Sequence, residues 1–113
     1  MTRIYKILAA EAWAAAQAAG RFDGSAVDLA DGYIHFSTAA QAAETARRHF
    51  AGREGLVVLE VESDDLGGAL RWEPSRGGDL FPHLYGPLSA EHVRSVRTAP
   101  LGADGVPDLG DLT

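Results

Sequence analysis

The chain has 113 residues, a one-domain length, with 46% hydrophobic and 23% charged residues, a balance that buries a core without disulfide or metal staples. It has no cysteine and a net charge of −6, which excludes disulfides, zinc–thiolate sites and cysteine nucleophiles and disfavours general nucleic-acid binding. The missing cysteines fit a reducing cytoplasm. The Ala-rich N-terminus is broken by Lys6, Glu11 and Gln17, so it reads neither as a signal peptide nor as a membrane span.

In chain order, residues 3–8 are rich in β-branched and aromatic side chains and predict a short strand. Residues 9–19 predict a helix stopped by Gly20, with Trp13 and Ala16 facing inward. Residues 21–31, with Gly24, Ser25 and several aspartates, read as a loop. Residues 32–37 alternate: Ile34 and Phe36 point one way, Tyr33, His35 and Ser37 the other. Thr38-Ala-Ala-Gln41 matches a capping box, and Ala39, Ala42, Ala43, Ala46 and Phe50 then form one apolar helical face that ends at Gly52.

Residues 56–63 predict the clearest strand, with Val57, Leu59 and Val61 as its apolar face. Asp64-Asp65 and Gly67-Gly68 bracket a turn, and residues 69–73 predict a further strand. Residues 74–79 read as a flexible loop and 81–88 as an extended segment broken by proline and glycine. A single helical turn at 89–92 precedes a last strand at 93–98. The domain is therefore expected over 1–98, and 99–113 reads as a frayed acidic tail with glycine and proline. Helices come early and strands later, which predicts an α+β fold with a mostly antiparallel or mixed sheet.

Four constellations carry chemistry. Tyr33, His35, Ser37 and Thr38 lead into a helix N-terminus, where free N–H groups favour an anion. They equally make a solvated strand face followed by an ordinary cap. His83 and Tyr85 share a face of an extended segment flanked by Gly77, Gly78 and Gly86; the alternative is an edge segment whose rings cover the core. Lys6 shares the face of Ile4 and gains a role only where its strand lies beside His35. Arg71-Trp72-Glu73 either offers a Trp to a ring ligand or packs it at the core or rim. No metal ligand set is expected, because His35, His49, His83 and His92 show no HxxxH or HExxH spacing.

The stretches IYKIL, GYIHFSTAAQAAETARRHF, GLVVLEVESDDL, RWE and FPHLYGPL together resemble domain of unknown function family nine-five-two, a group of small bacterial and plant proteins, over residues 3 to about 98. That resemblance implies an ADP-ribosyltransferase-like fold, two small mixed or antiparallel sheets forming a cleft with two main helices. The RNA 2′-phosphotransferases are the look-alike. It further implies NAD, or another nucleotide-like small molecule, as ligand, with Lys6, His35, Ser37 and Thr38 as cofactor-binding residues. His35, His83, Tyr85 and Glu73 are then the catalytic candidates, although the transferase glutamate has no clear counterpart. Two other functions remain open at this point: a non-catalytic binding module on the same fold, and a metal-dependent hydrolase using His35 and His83.

Overall fold

The computed structural model describes residues 2–75 and 77–112. The chain runs through β1 (Arg3–Ala9), α1 (Ala10–Ala19), β2 (Arg21–Phe22), α2 (Ala26–Asp31), β3 (Ile34–His35), β4 (Ser37–Thr38) and α3 (Ala39–His49). It continues through β5 (Leu56–Glu62), a 3-10 segment (Ser63–Ala69), β6 (Leu70–Ser75), β7 (Asp79–Leu84), β8 (Leu88–Ser89), a 3-10 turn (Ala90–His92) and β9 (Val93–Ala99). The result is α+β, with antiparallel sheets and few helices.

The main sheet has the order β4-β1-β5-β9. β1 and β5 pair antiparallel, with Ile4 opposite Val61 and Lys6 opposite Leu59. Both strands bury side chains on both faces, so both read as nearly continuous apolar runs. On one face Ile4, Leu8, Leu59 and Val61 pack against Trp13 and Ala16 of α1 and against Ile34, Phe36 and Leu84. On the other, Tyr5, Ile7 and Val58 pack against Ala42 and Ala46 of α3. Each fully buried Ile, Leu or Val is worth roughly 1.5–3 kcal/mol, and this two-sided burial fixes where β1 lies.

A second sheet has the order β3-β7-β6, and β2 pairs with β8 as a two-stranded ladder. α3 begins as its sequence predicts: Gln41 N–H donates to Thr38 Oγ1 at 3.3 Å and Thr38 N–H to Gln41 Oε1 at 3.1 Å. The predicted apolar face of α3 holds except at Ala43, which is exposed, and the helix ends at His49, ahead of Gly52.

Three expectations are corrected. Residues 21–31 are not a loop throughout: they contain β2 and the short helix α2, opened by its own capping box of Ser25 and Asp28. Residues 32–37 do not form one strand. The ladder changes sheet at Phe36, so His35 pairs with β7 while Ser37 pairs with β1. Ser37 therefore leaves the face it was expected to share with His35. Over its described residues, 99–112, the tail does not fray: Leu109 is buried against Tyr5, Ile7 and Val58 with Val106 and Leu112 beside it, and the Tyr5 hydroxyl donates to the Leu112 carbonyl at 2.7 Å. Val106, Leu109 and Leu112, spaced three apart in the tail, cover part of that face.

Candidate functional site

The site is assembled where β1, α2 and the second sheet meet. Asp28 is its buried centre, 1% exposed. The α2 capping box turns this side chain inward: Ser25 donates from its N–H at 2.9 Å and its hydroxyl at 3.0 Å to Oδ2. Gly24 makes room for it. Its φ is +121°, and a Cβ added there would sit 2.9 Å from Asp28 Cβ. Lys6, 6% exposed, reaches across from β1 and places its ammonium 2.9 Å from Oδ2 and 3.1 Å from Oδ1. His35 completes the set, donating its backbone N–H to Oδ1 at 3.1 Å with ring Nδ1 2.6 Å from the same oxygen.

These contacts set the charges. Burial alone would raise the Asp28 carboxyl, but the hydrogen bonds from His35, Lys6 and Ser25 and the Lys6 charge outweigh it. They hold the carboxyl well below the usual carboxylate range. Burial pulls the Lys6 ammonium down, and Asp28 resists. The carboxylate has several donors and the ammonium one partner residue, so Asp28 is the firmly ionised member and Lys6 the softer one.

His35 is gripped twice. Its Nε2 lies 2.9 Å from Oδ2 of Asp31, the last residue of α2. Each ring nitrogen thus faces a carboxylate oxygen, which can only accept. His83, opposite His35 in the ladder, has its own carboxylate: Nδ1 is 2.8 Å from Glu73 Oε1, and the Tyr85 hydroxyl donates to that oxygen at 2.8 Å. The hydrogen bonds from His83 and then Tyr85 hold Glu73 below its ordinary value. The same bond to Glu73 pushes the Tyr85 phenol up.

Tyr33 ties the two pairs together. Its ring stacks on His83 at 4.1 Å and lies 4.6 Å from His35 and 5.2 Å from Tyr85. Burial, with Asp31 and Glu73 nearby, pushes its phenol up as well. The Arg71 guanidinium sits over the Tyr85 ring at 5.4 Å. One face of the second sheet thus carries four rings, two imidazole–carboxylate pairs and one arginine, with Asp31, Arg71 and Tyr85 open to solvent.

The predicted site residues divide. Lys6 and His35 meet on Asp28, and His83, Tyr85 and Glu73 meet one another. Ser37 and Thr38 do not join them: the Ser37 hydroxyl pairs with that of Thr45 at 2.8 Å, and Thr38 caps α3. Trp72 is not core packing; it is 39% exposed and borders a shallow hollow lined by Ser63, Asp64, Gly67 and Leu70, away from the rings. Asp28 and Asp31 are the residues sequence reasoning missed. The signal for Asp28 was present, since Ser25-x-x-Asp28 is itself a capping-box spacing. Among the described residues no three His, Cys, Asp or Glu side chains group as metal ligands, and both nitrogens of His35 already face carboxylates.

These features define a small α+β protein whose second sheet presents a polar, aromatic-lined face. The chain belongs to the family described as Protein of unknown function (DUF952), whose model matches residues 7–96. It is similar to the crystal structure of protein CC0527 from Caulobacter crescentus, with 57% identity and a TM-score of 0.95 over 97% of this chain and 96% of that one. The solution NMR structure of the same protein gives 57% identity and a TM-score of 0.89 over 100% and 97%. No curated protein matches the chain. No helix among the described residues is long and apolar enough to cross a membrane.

Proposed function

We propose that the face formed by Tyr33, His35 and Tyr85, with the buried His83 stacked against Tyr33, binds a nucleotide-like small molecule, with NAD the leading candidate, on a fold of the ADP-ribosyltransferase kind. One observation carries this reading: four rings within 6 Å of Tyr33 or of one another, with carboxylates held beside two of them. Rings offer stacking surface to a base, and carboxylates accept from ribose hydroxyls. A first strand whose Lys6 reaches the same Asp28 as His35 also suits that fold.

In this reading Lys6 does not meet the pyrophosphate. Its ammonium lies on Asp28, so it acts from beneath the site by holding Asp28, which holds His35. Transfer chemistry would break the bond from the ribose carbon to the nicotinamide nitrogen, release nicotinamide with that electron pair, and form a new bond from the same carbon to an acceptor nucleophile, passing through a cationic sugar. A carboxylate facing that carbon stabilises such a cation, and in this reading Glu73 would have to supply it. Glu73 Oε1 already accepts from His83 and Tyr85, and that observation favours a second reading, a binding module that holds the ligand without transferring it.

Thermal unfolding with about 1 mM NAD tests the binding, since a ligand at roughly 100 times its Kd adds about 2.7 kcal/mol. The expected rise in Tm exceeds about 5 °C at roughly 4–8 °C per kcal/mol. An unchanged Tm removes NAD as the ligand. Incubation with labelled NAD then separates transfer from binding alone.

A further inference from the structure

We infer that this face takes an unphosphorylated N-riboside, neutral or cationic, in preference to the corresponding phosphorylated nucleotide. The inference rests on the proposed function's reading of this face as a surface for a base and its ribose, and it replaces NAD, which carries a pyrophosphate, as the preferred ligand.

The argument is one of charge placement. A nucleotide site needs cations, helix N-termini or clustered backbone N–H groups aimed at the phosphate. Lys6, which shares Asp28 with His35, is buried with both Asp28 oxygens within 3.1 Å of its ammonium. His35 has a carboxylate on each ring nitrogen. The helix N-terminus nearest in sequence, that of α3, is closed by the Thr38–Gln41 capping box, and Thr38 lies on the other sheet. Among the described residues, Arg71 is the one solvent-facing cation in contact with the ring cluster. Asp31 and Glu73 oppose it, each carboxylate within hydrogen-bond distance of an imidazole on the face. A phosphate arriving here meets two carboxylates and one guanidinium. A ribose meets two acceptors for its hydroxyls, and a pyridinium or protonated base meets aromatic rings and negative charge.

The experiment is calorimetric titration of the intact protein with nicotinamide riboside, nicotinamide mononucleotide and NAD. The riboside is expected to bind about tenfold more tightly than the mononucleotide, the effect of an added like-charge contact near the surface. That gap is expected to widen at low salt. Glu73→Gln, with its fold checked by circular dichroism, is expected to narrow the gap by weakening the riboside and relieving the mononucleotide. Equal or tighter binding of the mononucleotide overturns the inference and leaves the proposed function standing. Binding by none of the three removes both.

Discussion

Replacing Lys6 with methionine keeps a long unbranched side chain in the core and removes one charge. In the folded protein Asp28 would then be a carboxylate, 1% exposed, facing a thioether. Removing one partner of a buried ion pair costs about 3–5 kcal/mol, because the other charge stays behind uncompensated. Asp28 retains Ser25 and His35 as donors, so the lower end applies, about 3 kcal/mol. At roughly 4 °C per kcal/mol for a chain of this size, Tm should fall by about 12 °C. Urea denaturation of Lys6→Met, Asp28→Asn and the double variant supplies the assay. The double variant is expected to lose less than the sum of the single losses, since it no longer buries an unpaired charge. A Lys6→Met cost below about 1 kcal/mol, a surface ion pair's worth, would refute the account of Asp28 as a buried carboxylate that needs its lysine.

Acid behaviour gives a second test. The Asp28 carboxyl is depressed in the fold, so below about pH 4 the unfolded chain binds the extra proton and stability falls with pH. The stability difference between wild type and Asp28→Asn is therefore expected to shrink as pH drops from about 5 to 2, read from Tm across a buffer series; a constant difference contradicts it. Leu109→Ala is expected to cost about 2–3 kcal/mol, as for other buried leucines, measured by urea denaturation. A frayed tail would show no cost.

Much of this fold was legible because its signals are local. The capping box of Thr38 and Gln41, the apolar run of β5 and the Gly20 stop each depend on residues within a few positions of one another. α2 carried the same kind of start signal at Ser25 and Asp28, yet it is one short helix whose Val27 and Leu29 are exposed, so it has no apolar face to read. Asp28 is its one buried residue, and the partner that explains the burial is Lys6, 22 residues away. No spacing rule connects a strand lysine to a helix-cap aspartate at that distance. The site was half visible for the same reason. His83 and Tyr85 share a face by alternation, as extended residues two apart must, and Glu73 reaches them through hairpin pairing. Ser37 was misplaced because alternation assumes that a strand stays in one sheet, and the change at Phe36 is set by tertiary packing. The tail was misread because composition alone does not show that Val106, Leu109 and Leu112 fall on one side.

That change of sheet has a mechanical meaning. Ile34–His35 is laced to β7, Ser37–Thr38 is laced to β1, and the single residue between them, Phe36, is buried with its N–H on the Pro82 carbonyl at 3.0 Å. No slack chain separates the two sheets here. Any tilt of one against the other must be absorbed within two peptide units, or it strips pairs from a ladder that has only two residues to lose. His35 stands at the end of that splice, so its orientation registers the relative set of the two sheets, and any displacement of its backbone pulls directly on the strand that enters α3.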